Sequence, residues 1–308
     1  MRTPEVVPAD DAPENVTVYE VGPRDGLQNE PTVMPVEVKV EFVERLVAAG
    51  VAAVELTSFV RPDLVPQLGD AEQLMTRLSL PEHVRTVALT PNLRGAQRAL
   101  ELGVKEIAIF ASATETFSQK NLNCSIDDSF RRFAPVVALA RENGLSVRAY
   151  VSMCFGDPWE GDVPLASVVG VGRRLLGLGA GEVSIGDTIG VATPGHVVAL
   201  VRALGAAGIG VDRLAVHFHD TYGQALANAS AALRAGVRVV DASAGGLGGC
   251  PFAASATGNL ATEDLLWLLH GMGVSTGIDL PAMVETSTWL ATQLGRPSAS
   301  RVVQALTR

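Results

Sequence analysis

Two histidines separated by one residue are the feature of this sequence that most directly suggests chemistry. His217 and His219 follow the short apolar run Leu214–Val216. If this run is a β-strand, both imidazoles leave the same face of the sheet, as two ligands of one metal ion must. The alternative interpretation is a pair of histidines that are satisfied by hydrogen bonds at a strand end. A carboxylate that converges on the same face favours the metal site.

A glycine-rich segment with one thiol follows the histidines at Gly245–Pro251. A dinucleotide-binding G-x-G-x-x-G motif would need glycine at the position of Pro251, so this interpretation is rejected. Four glycines in five positions instead predict a flexible loop that closes over a site. Cys250 is then a candidate acid or base, since a nearby cation lowers a thiol pKa from its usual ~8.5. The alternative is a small, buried, apolar residue.

Two pairs of polar residues could complete such a site. Arg24 and Asp25 follow the first β-branched run and offer a fixed cation beside a carboxylate. Glu55 and Asp187 are candidate catalytic carboxylates at later strand ends; the alternatives are a solvated or ion-paired group for Glu55 and a salt bridge for Asp187.

Asn259 has two interpretations as well. It terminates a turn ahead of a helix that begins near Thr262, or its amide oxygen completes the ligand set of a hard metal ion.

The elements that position these groups follow from periodicity, since apolar, β-branched runs alternate with amphipathic stretches. The predicted strands cover 16–21, 52–59, 84–90, 106–112, 147–155, 182–188, 214–220 and 239–244. The first helix is predicted over 36–50, with Val36, Val40, Val43 and Val47 on one stripe. Another helix is predicted to begin near residue 69, and further helices are predicted over 92–102, 125–143 and 262–270. A loop is predicted between residue 112 and residue 125. Glycines are predicted to end seven helices, at Gly50, Gly103, Gly144, Gly179, Gly208, Gly236 and Gly271.

Eight strand–helix units favour a closed (β/α)8 TIM barrel, an α/β fold, over an open doubly wound sheet. The carboxyl ends of the strands converge on one face of a barrel, so polar residues that are distant in sequence share one site. Two extra C-terminal helices, over 280–294 and 299–306, are predicted to cover a barrel end, extend the substrate site or form an oligomer contact. We predict a disordered leader over 1–15 and a single catalytic domain over 16–308.

Composition narrows the functional class. Hydrophobic residues make up 47% of the 308 positions and charged residues 19%, with a net charge of -9. The sequence has no basic cluster that would favour binding to nucleic acid or to an anionic membrane. No apolar run approaches the ~18 residues of a membrane span. Cys124, Cys154 and Cys250 provide no disulfide framework, so we expect a cytoplasmic protein that acts on a small molecule.

Several motifs in one register resemble the 3-hydroxy-3-methylglutaryl-CoA (HMG-CoA) lyase family of metal-dependent TIM-barrel enzymes. The longest are Val21–Glu30, His217–Asn228, Gly246–Ala253 and Gly258–Leu265. Shorter matches occur in the same order at Ser58–Val60, Val65–Gln67, Thr90–Leu93, Asn121–Ser125 and Gly186–Gly190. A set of motifs in order is more specific than any single one.

The resemblance implies a lyase that cleaves HMG-CoA to acetyl-CoA and acetoacetate, in leucine degradation and ketone-body formation. It implies an acyl-CoA substrate and a divalent cation, Mg²⁺ or Mn²⁺, and allows a homodimer. The implied metal ligands are Asp25, His217, His219 and Asn259. The implied catalytic residues are Arg24, Cys250, Asp187 and Glu55, with Arg24 and Gln28 as substrate contacts.

Three stretches depart from the family pattern. Phe218 stands where a small residue is usual, Met153–Gly161 differs from the expected segment, and Gly295–Pro297 replaces a more polar stretch associated with CoA contacts. The same mechanism on a longer 3-hydroxyglutaryl-CoA or a citramalyl-CoA type thioester therefore stays open. A Claisen-condensing acyltransferase of the same barrel family and an inactive barrel that binds a metal or a partner are the other hypotheses.

Overall fold

The computed structural model describes residues 3–249 and 258–307. Eight parallel strands form a closed barrel, in which each strand pairs with the next and β8 pairs with β1. The strands are β1 (Thr17–Glu20), β2 (Ala53–Ser58), β3 (Arg85–Leu89), β4 (Glu106–Ser112), β5 (Ser146–Ser152), β6 (Glu182–Asp187), β7 (Leu214–Phe218) and β8 (Val239–Ala242). The predicted TIM barrel is confirmed, and β4 has its predicted bounds.

Helices surround the barrel and pack their apolar faces against it. They are α1 (Val36–Ala48), α2 (Ala71–Arg77), α3 (Leu93–Glu101), α4 (Glu115–Leu122), α5 (Ile126–Glu142), α6 (Leu165–Leu178), α7 (Pro194–Ala206), α8 (Ala225–Arg234), α9 (Thr262–Gly271), α10 (Leu280–Leu294) and α11 (Arg301–Leu306). The predicted loop between β4 and residue 125 is wrong, because α4 occupies most of it.

The buried face of α1 differs from the predicted valine stripe. Val36 and Val43 are buried, whereas Val40 is only half-buried and Lys39 is 2% exposed. The Lys39 ammonium donates to both oxygens of Asp70, at 2.9 and 2.8 Å, and to the backbone oxygen of Gln67. A buried lysine is tolerated here because a carboxylate and a carbonyl pair with it.

Glycines in the left-handed region end six of the seven helices for which a glycine stop was predicted. The seventh prediction is wrong. Gly271 is the last residue of α9, and the left-handed position is Gly273, with φ of +77°. The helix therefore includes the first glycine as its last residue and ends two residues before the second.

Charged and aromatic side chains fill the half of the barrel interior that lies towards the amino ends of the strands, here called the lower half. Arg148 is fully buried, and its Nη2 lies 2.6 Å from Oδ1 of Asp241. The guanidinium carbon of Arg148 stands 3.6 Å from the centroid of the Tyr19 ring. Further towards the amino ends of the strands, Arg85 Nη2 contacts Glu106 at 2.5 Å and Glu182 at 3.3 Å. Ion pairs and ring faces thus replace water around these cations.

The two C-terminal helices pack beside the last barrel unit. α10 packs against α1 and α9, and α11 packs against α9 and α10. The backbone N–H groups of Ala299 and Ser300 donate to the carbonyl of Gly245, at 3.0 and 3.3 Å. These extra helices therefore support the loop that follows β8, at one side of the carboxyl end of the barrel.

The described part of the predicted leader runs along the loop after α9. The N–H of Val7 donates to the carbonyl of Gly271 at 2.8 Å, and Val16 donates to Ser275 at 3.0 Å. The division into a leader and one domain stays a prediction. No helix within the described ranges has both the length and the hydrophobicity needed to cross a membrane.

Candidate metal and catalytic site

A single π-helical turn at Gly22–Gly26 carries Arg24 and Asp25 at the end of β1. The N–H of Gly26 donates to the carbonyl of Val21, five residues back, at 3.1 Å. Gly26 is required by space, since a Cβ there would lie 2.7 Å from Oγ of Ser243 on the neighbouring chain segment. Such one-turn π-bulges occur frequently at functional sites.

Arg24 is held between two carboxylates. Its Nε and Nη2 each lie 2.7 Å from Oε2 of Glu55, and its Nη1 lies 2.8 Å from Oδ1 of Asp25. Burial disfavours the charged guanidinium, but Glu55 and Asp25 more than offset this and raise the pKa of Arg24. Glu55 is fully buried, and burial raises its pKa although Arg24 opposes the shift. Arg24 is therefore a fixed cation, and the ion-paired interpretation of Glu55 is the observed one.

The histidine pair projects from the end of β7 towards Asp25. One ligand atom each from Asp25, His217 and His219 can be chosen so that all three lie within 4.8 Å of one another. The imidazole centroids are 5.3 Å apart. The sequence interpretation that brought the pair and Asp25 to one face is thus borne out geometrically.

Asn259 joins this group from the segment after β8. Residues 259–261 run beside the ends of β7 and β8: Leu260 N donates to Phe218 O at 2.9 Å, and Asn259 forms a bridge with His219. The amide nitrogen of Asn259 donates to Oδ2 of Asp25 at 2.8 Å and to the carbonyl of Leu247 at 2.9 Å. Gly248 allows this approach, since a Cβ there would lie 2.4 Å from the amide nitrogen.

The donor set fits a divalent cation. The side-chain oxygen of Asn259 and Nδ1 of His219 are buried and lack a hydrogen-bond partner among the described residues. Burial raises the pKa of Asp25, but Arg24 and the two imidazoles outweigh it and lower the value to about 2. Burial, followed by His217, lowers the pKa of His219 to about 4. A carboxylate, neutral imidazole and an amide oxygen are therefore available at neutral pH, and oxygen donors with imidazole suit Mg²⁺ or Mn²⁺.

The remaining predicted residues occupy different positions. Both oxygens of Asp187 accept backbone N–H groups of its own loop, from Val191 at 2.9 Å and Ala192 at 3.1 Å, and no salt bridge to Asp187 is found among the described residues. Burial raises the pKa of Asp187 to about 6. Gln28 is half-buried, four residues after Arg24. Cys250 lies outside the described residues.

Three buried carboxylates beside the site are not among the predicted site residues. Glu20 accepts from the N–H of Gly22 at 2.8 Å and of Ala244 at 2.9 Å, and so fixes the π-helical turn to the loop after β8. Glu263 accepts from the N–H of Gly245 in that loop. Asp241 pairs in register with His217 across β7 and β8. The available signal for Asp241 was the alternation of side chains along neighbouring strands, which sends every second residue to the same face.

Comparison with known proteins gives a consistent result over nearly the whole chain. The model of the HMGL-like family matches residues 15–290. A relative from Arabidopsis thaliana, hydroxymethylglutaryl-CoA lyase, mitochondrial, is 49% identical over 96% of this chain and 63% of its own length, so the chain spans less than two thirds of that relative. A relative from Mus musculus, 3-hydroxy-3-methylglutaryl-CoA lyase, cytoplasmic, is 46% identical over 95% of this chain and 85% of its own length.

Solved structures agree with this result. The hydroxymethylglutaryl-CoA lyase of Pseudomonas aeruginosa superposes with a TM-score of 0.94 at 47% identity, covering 96% of this chain and 99% of that chain. An HMG-CoA lyase of Acinetobacter baumannii in complex with coenzyme A and 3-methylmalate has a TM-score of 0.91 at 35% identity and covers 97% of each chain. The similarity therefore includes the barrel, the loops that carry the site, and the C-terminal helices.

Proposed function

The chain belongs to the HMGL-like family, as the motifs of the sequence predicted, and we propose that it is a metal-dependent lyase that cleaves HMG-CoA to acetyl-CoA and acetoacetate. The observation that carries this proposal is the convergence of four donor residues beside a fixed arginine. Asp25, His217, His219 and Asn259 bring free acceptor atoms together from three segments of the barrel.

We propose that Asp25, His217, His219 and Asn259 hold Mg²⁺ or Mn²⁺. When bound, the cation would orient the substrate oxygens and favour transfer of the C3 hydroxyl proton to solvent water. Arg24 assists this binding, because its contact with Oδ1 keeps Asp25 ionised and fixes the direction of the carboxylate. The amide group of Asn259 fixes Oδ2 of the same carboxylate.

Arg24 has the chemical role in bond cleavage. Breaking the bond between C2 and C3 leaves acetoacetate and the enolate of acetyl-CoA, so negative charge develops on the thioester oxygen. Arg24 is rigid because Glu55 holds two of its nitrogens. A preorganised cation stabilises charge that appears in the transition state without reorganisation. Gln28, one turn later, is proposed to contact the same part of the substrate.

Protonation of the enolate carbon completes the reaction and requires an acid. We propose that the Cys250 thiol gives this proton to C2, and that the thiolate recovers a proton before the next turnover. The described end of its loop contacts the segment that follows the π-helical turn: the side-chain amide of Asn29 donates to the carbonyl of Gly249 at 2.8 Å. Asp187 contributes by holding the β6–α7 loop rather than by reacting.

The proposed partner is an acyl-CoA thioester, and the coenzyme A complex of the Acinetobacter baumannii relative supports it. A cytoplasmic location and a homodimer stay predictions. The names of the relatives include mitochondrial and cytoplasmic forms.

A panel of thioesters tests the substrate assignment. Purified protein is incubated with HMG-CoA, 3-hydroxyglutaryl-CoA and citramalyl-CoA, after metal depletion and after Mn²⁺ addition, and the keto acid and acetyl-CoA are measured. We expect equimolar acetoacetate and acetyl-CoA from HMG-CoA in the presence of Mn²⁺ only. Turnover of another thioester, but not of HMG-CoA, would retain the proposed mechanism and change the substrate assignment. Release of free CoA from acetyl-CoA and a 2-keto acid would favour the condensing alternative, and no turnover would favour the inactive barrel.

A further inference from the structure

Asp241 lies directly behind one of the two histidines. It is the register partner of His217 in the paired strands β7 and β8. Its Oδ2 stands 3.3 Å from Nδ1 of His217, and Asp241 is 1% exposed. Among the described residues, His219 has no carboxylate within 4.0 Å of a ring nitrogen, whereas His217 has one. The two imidazoles are therefore supported unequally.

Three strands fix the Asp241 carboxylate in this position. Arg148 from β5 places Nη2 2.6 Å from Oδ1, and the hydroxyl of Ser184 from β6 donates to Oδ2 at 2.9 Å. Arg148 is itself held by the Tyr19 ring below it and by Glu182, whose Oε1 lies 3.4 Å from its Nε. The carboxylate therefore has little freedom to turn away from His217.

A neutral imidazole carries one N–H, and the neighbour of each nitrogen decides which one has it. A carboxylate only accepts hydrogen bonds, so its presence beside Nδ1 favours the proton on Nδ1 and leaves the lone pair on Nε2. The two atoms are close but not aligned for a hydrogen bond.

On this basis we propose that Asp241 is a positioning residue that keeps the His217 proton on Nδ1 and presents Nε2 to the cation. The inference rests on the proposed metal site. Arg148 and Ser184 act through Asp241, by fixing the direction of its carboxylate. The two histidines therefore differ in how they are oriented. Asp241 orients His217, whereas the orientation of His219 depends on the cation and on its backbone.

The tautomer of His217 in metal-free protein tests the proposal without any turnover. Protein labelled with ¹⁵N-histidine is studied by NMR, and His217→Gln assigns the signal among five histidines. We expect Nδ1 to be protonated in the wild type. In Asp241→Asn, Arg148 retains the amide oxygen and the NH₂ group faces Nδ1, so the proton is expected to move to Nε2. Protonation of Nε2 in the wild type overturns the proposal even if the variant does not fold.

Mn²⁺ affinity gives the second readout. Asp241→Asn is expected to weaken binding by about 10–100-fold, as loss of a carboxylate behind a metal-bound histidine generally does. Glu106→Gln is the matched control, because Glu106 is a buried carboxylate that pairs with Arg85 rather than with Arg148; it is expected to leave the affinity unchanged. Equal affinity and an unchanged tautomer in Asp241→Asn would overturn the inference alone. No Mn²⁺ binding by the wild type would overturn the proposed metal site and the inference together.

Discussion

In the lower half of the barrel, Arg85 and Arg148 face Glu106, Glu182 and Asp241, and each cation has a carboxylate within 3.4 Å. At the carboxyl end, Arg24 is paired in the same way, but the unpartnered buried atoms around it include acceptors. They are Oδ1 of Asn259, Oε1 of Glu55 and Nδ1 of His219. The unpartnered atoms of the lower half belong to the guanidinium of Arg148 and to tyrosine hydroxyls.

This difference indicates that the lower half mainly stabilises the fold, whereas the carboxyl end is built to bind a ligand. Arg148 compensates its unpartnered N–H groups with ring faces, so the lower half is complete without a ligand. Buried acceptors at the carboxyl end have no donor among the described residues, and buried polar groups cost free energy unless they are paired. A divalent cation and the substrate would pair them. Apart from Asp241 and the residues that fix it, substitutions in the two regions should therefore affect different observables: stability in the lower half and activity at the carboxyl end.

The largest expected effect is that of Asp25→Asn on activity. Loss of the carboxylate removes the one charged ligand of the proposed site and a partner of Arg24, so kcat/KM should fall by at least about a thousandfold. The free energy of unfolding of the metal-free protein should fall by only about 1–3 kcal/mol, because Glu55 still pairs with Arg24. Steady-state assays with Mn²⁺ and urea unfolding measure the two quantities. Comparable losses of activity and stability would show that the two regions do not differ in the way described.

Arg24→Met is expected to reduce kcat by about 10²–10³-fold, the usual range for loss of one group that stabilises a developing oxyanion. Mn²⁺ binding should weaken but persist, because Arg24 positions the Asp25 carboxylate without being a ligand itself. The double variant Arg24→Met/Glu55→Gln removes the unpaired buried carboxylate and serves as the stability control. An unchanged kcat with a raised KM would instead assign Arg24 to substrate binding alone.

In the lower half, Glu106→Gln should have the opposite profile. Glu106 pairs with Arg85 through two hydrogen bonds, so its neutral analogue should lower the free energy of unfolding by about 1–3 kcal/mol. The value of kcat should stay close to that of the wild type, because neither group reaches the carboxyl end. Calorimetry and the lyase assay test this pair of outcomes, and a large loss of kcat would contradict them.

The smallest expected effect concerns Glu263, which supports the loop after β8. Burial raises its pKa to about 8, well above the value of an unfolded glutamate. The folded state therefore retains a proton that the unfolded state loses, and stability decreases as the pH rises from about 4.5 towards 8. Glu263→Gln carries no titrating group, so the decrease should become shallower. Urea unfolding at several pH values between 5 and 8.5 measures the slope, and an unchanged slope would contradict the assignment.

The sequence predicted the architecture because strand, helix and glycine signals recur eight times in order. It did not predict α4, whose residues include Thr116, Ser118 and Asn121 and show a weak apolar stripe. It placed Val40 rather than Lys39 on the buried face of α1. The partners of Lys39, Gln67 and Asp70, lie about thirty residues away in the chain, and no local pattern reveals such a pairing.

The site was predictable where residues follow strand ends. Asp25 and the histidine pair were brought together by the convergence of carboxyl ends in a barrel. The supporting groups were not predicted, because Asp241 and Glu20 look like ordinary strand residues until their register and burial are known. Asp187 accepts hydrogen bonds from backbone N–H groups of its own loop. This contact depends on a turn that the sequence does not specify.

The most direct test of the difference between the two regions is the effect of Mn²⁺ on the free energy of unfolding. At a free Mn²⁺ concentration of about 100 times Kd, specific binding should add roughly 2.7 kcal/mol. The account predicts this increase in the wild type and in Glu106→Gln, and none in Asp25→Asn. A wild type that Mn²⁺ does not stabilise, or an equal increase in Asp25→Asn, would contradict it.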